Sequence, residues 1–257
     1  MKNILGILII LLLTVSSVFS ADMRFVQVDG LLYNETSSDK FVQLIEKINK
    51  EKNVEFIIFT GNNIAKPNKA ELESFLKCAK NLNRPFYIVL GQKDVNKKKG
   101  LGKKEYMEMV HKKAKAHRRI QSPSYMFEKK GVLFIVVDGS KEVIPTTNGY
   151  YKEDVILWLD EQLDNNKDKN VVIVQHYPLV PPCIKETYYT FKADEYLKLL
   201  SEHKNVKAVV AGHFNASNEQ NVNGVLHIST QDAPTYRIID ILDCDTANPT
   251  FWSTLKE

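Results

Sequence analysis

Five places in this 257-residue chain close an apolar run with a cluster of polar side chains, four of them around a glycine. They are Val28-Asp29-Gly30-Leu31-Leu32, Thr60-Gly61-Asn62-Asn63, Leu90-Gly91-Gln92-Lys93-Asp94, Gln175-His176-Tyr177-Pro178 and Ala211-Gly212-His213-Phe214-Asn215. Carboxylates and imidazoles are the groups that bind divalent cations and carry protons near neutral pH. The carboxamides of Asn62, Gln92 and Asn215 and the ammonium of Lys93 are hydrogen-bond donors suited to an anion. Singly, each motif reads as a glycine turn or a satisfied histidine. Their order and shared placement give them weight.

The elements that must position them follow from hydrophobic spacing. Strands are predicted over 23–29, 54–60 and 86–90, separated by helices over 39–52 and 68–82. In the first helix Phe41, Leu44, Ile45 and Ile48 share one face. A basic helix over about 103–118 precedes a hairpin-like pair at 125–128 and 132–138. A helix at 152–163, a strand at 171–175, a helix at 193–203 and a strand at 208–211 come next. The last third reads as strands alone, at 225–230, 236–242 and 250–254. Strands that alternate with helices and then run consecutively imply a layered α/β fold with a mixed sheet or two packed sheets. Ligands in such folds gather beyond the strand ends, so all five motifs point to one neighbourhood.

Composition sets the frame. At 44% hydrophobic and 26% charged, the chain can bury a large core, which excludes collagen-like, low-complexity and mostly disordered classes. Residues 1–20 carry Lys2, an apolar stretch from Ile4 to Leu13 and a small-residue tail ending Val18-Phe19-Ser20. That pattern predicts a cleaved signal peptide and an exported protein, periplasmic or extracellular, with residues 21–257 forming a single domain. Cys78, Cys183 and Cys244 are odd in number and widely spaced, so three buried thiols are expected rather than a disulfide or zinc framework. Charge is concentrated: residues 96–119 hold ten Lys and Arg against Glu105 and Glu108. The segment reads first as a solvated basic helix and second as a surface for an anionic partner.

In sequence order the five motifs resemble the blocks of the calcineurin-like metallophosphoesterases, D-x-H, G-D, G-N-H-D/E, H and G-H-x-H. The stretch 134–140, the Trp158-Leu159 helix and His176-Tyr177-Pro178 are similar to further family elements, so the likeness spans residues 21–257. It implies a four-layer α/β/β/α sandwich with two mixed sheets. It also implies a dinuclear divalent-metal centre that activates water and clamps phosphoryl oxygens.

The replacements fall on the residues that carry that chemistry. Asp29 matches the first block only with Leu31 in the histidine position; without the shift, Gly30 and Leu32 stand there. Asn62 occupies the bridging aspartate position, Gln92 that of a metal-binding asparagine, and Lys93 that of the catalytic histidine. Asp94 keeps the acid, His176 and His213 keep imidazoles, and Asn215 replaces the final histidine. Neutral amides bind hard cations weakly, and two histidines fall short of the usual three protein ligands of a catalytic zinc. The expectation is no metal, or one weakly bound Mn, Zn or Fe ion on His176 and His213, in a pseudoenzyme. Asp29, Asn62, Gln92, Lys93 and Asn215 would then line a polar pocket for a phosphate-bearing or other anion. The alternatives are a slow mononuclear phosphate-ester hydrolase and an interaction protein that uses residues 96–119.

Overall fold

A computed structural model describes residues 22–185 and 188–257. The expected signal peptide lies outside the described residues, as do Glu186 and Thr187 within the loop after His176. Among the described residues, no helix is long and apolar enough to cross a membrane.

Two mixed sheets form the centre. The first has the order β11-β10-β1-β2-β3, built from β1 (Met23–Val28), β2 (Val54–Phe59), β3 (Phe86–Ile88), β10 (Tyr236–Leu242) and β11 (Thr250–Lys256). The second runs β4-β5-β6-β7-β9-β8, from β4 (Tyr125–Lys129), β5 (Val132–Val137), β6 (Asn170–Gln175), β7 (Val206–Ala211), β8 (Asn218–Val222) and β9 (Val225–Ser229). Parallel β1–β2 and β6–β7 pairs sit beside antiparallel β1–β10 and β8–β9 pairs. Strands such as Val132–Val137 are buried along their whole length, because each face of the sheet is covered.

Helices α1 (Ser38–Lys50), α2 (Lys69–Ala79) and α3 (Lys103–Lys113) cover the outer face of the first sheet; α4 (Glu153–Asn165) and α5 (Ala193–Glu202) cover the second. In α1 the buried residues are Phe41, Leu44, Ile45 and Ile48, the face predicted from spacing. Stacked and edge-on rings of Phe25, Phe56, Phe127 and Phe134 join the two sheets, with centroids 5.0–5.5 Å apart. The result is the four-layer sandwich.

Three expectations need correction. Strand β8 was not predicted: its Asn-Glu-Gln-Asn-Val sequence lacks alternation, and it forms by backbone pairing to β9 at the sheet edge. The basic helix stops at Lys113, ten residues after it begins, and a 3₁₀ turn at Lys115–His117 follows. Cys183 is exposed, not buried, while Cys78 is half-buried and Cys244 buried.

Candidate functional site

The five motifs meet beyond the ends of β1, β2, β3, β6 and β7. Asp29 continues β1 and is fully buried. Its Oδ1 accepts the Thr60 hydroxyl at 2.8 Å and its Oδ2 accepts the His213 backbone N–H at 2.7 Å. Gly212 makes this possible, since a Cβ there would lie 1.9 Å from the Asp29 carboxyl carbon.

His176, at the end of β6, is also fully buried. Its Nδ1 lies 2.7 Å from the Thr60 carbonyl and 3.6 Å from Asp29 Oδ1, and its Nε2 lies 2.8 Å from Gln92 Oε1. Burial by itself lowers the pKa of this ring. Asp29, the Thr60 carbonyl and Asp94 outweigh it, so the net shift is upward. Gly61 admits the ring: a Cβ at that position would sit 2.4 Å from Nδ1.

His213 adopts φ +76° and packs among rings, 4.9 Å from His176, 4.8 Å from Tyr177 and 4.7 Å from Tyr188. Burial pushes its pKa down to about 2; the neighbouring His176 adds to this, and the Thr147 backbone opposes it. Neither ring nitrogen makes a hydrogen bond of full geometry. The imidazole is neutral and serves here as a packed aromatic.

Asp94 and Lys93 are adjacent in sequence and face opposite ways. Asp94 is buried and accepts from the N–H groups of Asn63, Ile64 and Gly91 and from the Asn63 amide, at 2.8–3.1 Å. Burial pushes its pKa up to about 6 even against those donors. This carboxylate pins the loop after β2 to the loop after β3. The Lys93 side chain is exposed, and its backbone N–H donates to Asn62 Oδ1 at 3.0 Å. Asn215 is exposed with φ +49°, and its Oδ1 accepts the Asp232 N–H at 3.2 Å.

Asp232 was missed by the sequence reading. It follows β9 in Thr230-Gln231-Asp232-Ala233, a sixth polar strand end that the same rule would have found. It bridges to Asp29 in parallel register, and Asp29 O accepts the Ala233 N–H at 2.8 Å. Burial first, then the charge and side-chain hydrogen bond of Asp29, hold its pKa well above the carboxylate range. A side-chain hydrogen bond joins the two carboxyls. Lys185 is a second omission: it donates to the Phe214 carbonyl and lies 5.1 Å from the centre of the Tyr188 ring.

Apart from the His213 ring nitrogens, the atoms that would face a metal are engaged within the chain. Both Asp29 oxygens, His176 Nε2 and the Asn62 and Gln92 carbonyl oxygens hold hydrogen bonds. Among the described residues, no group of three or more His, Cys, Asp or Glu side chains has the geometry of a metal site.

Fold and strand-end geometry define the class of protein. The sequence profile of the calcineurin-like phosphoesterases matches residues 27–215, and the chain belongs to that family. The probable glycerophosphodiester phosphodiesterase GpdQ of Arcobacter nitrofigilis is 24% identical over 213 residues, covering 81% of this chain and 74% of its own. A dimetal phosphatase from Danio rerio superposes with a TM-score of 0.70 at 13% identity, over 90% of this chain and 99% of that one. GAP50, the anchor in the inner membrane complex of Plasmodium, gives 0.59 at 14% identity, over 86% of this chain and 81% of that one. At such identities the two structures support the fold alone.

Proposed function

We propose that this phosphoesterase domain has lost two-metal hydrolysis and keeps the site mouth as a seat for a phosphate-bearing or other anion. The observation that carries the reading is the state of His176: its Nε2 is bonded to Gln92 Oε1 rather than open to a cation. Family hydrolysis needs metal-held water and an anionic bridge. Here the bridging position is the neutral Asn62, whose oxygen is spent on the Lys93 N–H.

The donors left for an anion are those at the surface. With their oxygens engaged, Asn62 and Gln92 offer their NH₂ groups, and the Lys93 ammonium is exposed beside them. Asp29, His176 and His213 are buried beneath, so this mouth is smaller than the five-residue pocket expected from the sequence. Export after removal of residues 1–20 belongs to the same proposal and rests on the pattern of those residues.

The reading is tested by two measurements on the purified chain. Metal analysis after equilibration with Mn²⁺ and Zn²⁺ is expected to give no more metal than a His176→Ala/His213→Ala variant. Inorganic phosphate is expected to raise the melting temperature of the native chain more than that of Lys93→Ala; equal stabilisation of both would rule out the mouth.

The second reading is a slow mononuclear hydrolase, favoured by the 4.9 Å approach of the His176 and His213 rings. Phosphodiesterase activity that disappears in the double histidine variant would establish it in place of the first.

A further inference from the structure

A concentrated basic feature lies at the other end of the first sheet. A cavity of about 690 Å³ opens between the end of α2, the loop into β3 and the end of α3. Lys80, Arg84, Lys112, Lys113, Lys115 and Arg118 line it, and no acidic residue does. Phe86, in its wall, begins β3, whereas Gly91 of the site mouth lies past its other end, about 16 Å away along the strand.

This cluster differs from the basic segment read in the sequence. Within residues 96–119, Lys103 is spent on Asp138 at 2.5 Å and on the Ser140 carbonyl at 2.7 Å. Lys97–Lys99 form a 3₁₀ turn beyond the site end of β3. Folding keeps Lys112, Lys113, Lys115 and Arg118 together and adds Lys80 and Arg84 from thirty residues earlier. Among the described residues, Lys113 alone of the six has an ion pair, 3.2 Å from the exposed Glu73.

Helix ends explain part of this. Cations in the last turn of α3 and at the C-cap of α2 complement the carbonyl ends of those helices. Arg84 and Arg118 lie outside both helices, so this effect does not account for them. Gathering like charges around a concavity costs self-repulsion, which a bound anion relieves. Guanidinium forks and ammonium groups together match phosphate oxygens. Phe86, the one Phe, Tyr or Trp in the lining, is buried, so no phenyl, phenol or indole face is offered to a base.

We infer that this cavity binds a small, multiply phosphorylated anion, independently of the site mouth. The probe is inorganic tripolyphosphate, titrated calorimetrically into the purified chain. Binding is expected to weaken as sodium chloride rises, because screened charge contacts lose strength. An Arg84→Gln/Lys112→Gln/Arg118→Gln variant is expected to bind at least ~tenfold more weakly. A Lys97→Gln/Lys98→Gln/Lys99→Gln variant removes equal charge elsewhere and is expected to bind as the native chain does. Equal loss in both variants, salt-insensitive binding, or no binding overturns the inference. In the unmodified chain, tripolyphosphate is expected to slow hydrogen exchange at residues 79–86 and 111–118; protection centred on Lys93 instead also overturns it.

Discussion

Arg237 and Asp29, the one a buried cation and the other a buried anion, are joined by an unbroken run of donors. Arg237 Nε donates to Thr230 Oγ1 at 2.9 Å, and the Thr230 hydroxyl donates to Gln27 Oε1 at 2.7 Å. Gln27 Nε2 donates to Thr60 Oγ1 at 3.2 Å, and the Thr60 hydroxyl donates to Asp29 Oδ1 at 2.8 Å. The run crosses from the first sheet to the second and back. Every hydroxyl in it is oriented, because each both accepts and donates. In a buried setting such chains polarise one another, and an unmade bond is costly.

Thr230→Val is the simplest cut. It leaves Gln27 Oε1 and the Arg237 Nε–H without that partner, both buried, and is expected to cost about 1–3 kcal/mol in urea denaturation. Thr246→Val, whose hydroxyl lies in an exposed turn, is expected to cost little. A Thr230→Val loss no larger than that of Thr246→Val would show the relay to be energetically idle.

Gly212→Ala attacks the same carboxylate sterically. The added methyl would overlap the Asp29 carboxyl carbon at 1.9 Å, and Asp29 is held on both oxygens. Overpacking a rigid core costs about 1–3 kcal/mol or more. Gly131→Ala meets no atom within 4 Å and carries only the backbone strain of its φ of +80°, which Gly212 does not share. A Gly212→Ala melting temperature at or above that of Gly131→Ala would contradict the packing argument.

The pH dependence of stability has an identifiable contributor in His117. Its Nε2 accepts the Ile88 N–H at 3.2 Å, so the proton sits on Nδ1, and burial, with His111, pushes its pKa down to about 3. The unfolded chain has a histidine of pKa ~6.5. Between these values the unfolded state binds more protons, so stability is present above ~6.5 and falls as the pH drops toward 3, by at most ~1.4 kcal/mol per unit. Asp94, raised to about 6, contributes with the opposite sign, losing stability as pH rises from ~4. The informative quantity is therefore a difference. His117→Gln is expected to flatten the fall between pH 6.5 and 5 relative to the native chain, and parallel curves would refute the assignment.

Restoring charge at the bridging position tests why the site is closed. Asn62→Asp with Gln92→Ala frees His176 Nε2 and supplies a carboxylate beside it, the donor set a transition metal prefers. This variant is expected to retain Mn²⁺ or Zn²⁺ through desalting where the native chain does not. Failure to bind would mean that the Gln92 contact and the missing charge at position 62 are not what keep cations out.

The layers were legible because they rest on local periodicity: buried runs such as Val54–Phe59 and the apolar face of α1 declare themselves in any sequence window. Strand β8 was not, since a polar edge strand takes its geometry from its neighbour's backbone and leaves no pattern of its own. The family likeness and its replaced positions, Asn62, Gln92, Lys93 and Asn215, were likewise written in the chain order.

Direction and partnership were decided by the tertiary structure alone. Sequence puts Lys93 against Asp94, but the strand-end turn sends one to solvent and the other into four N–H donors. It puts Asp232 some two hundred residues from Asp29, yet parallel register makes them hydrogen-bonded neighbours. It scatters Lys80 and Arg84 away from Lys112 and Arg118, which α2 and α3 bring around one cavity. Spacing along a chain records which side chains are available. Where a buried carboxylate finds its donors, or a cation its neighbours, depends on contacts between elements that no local pattern encodes.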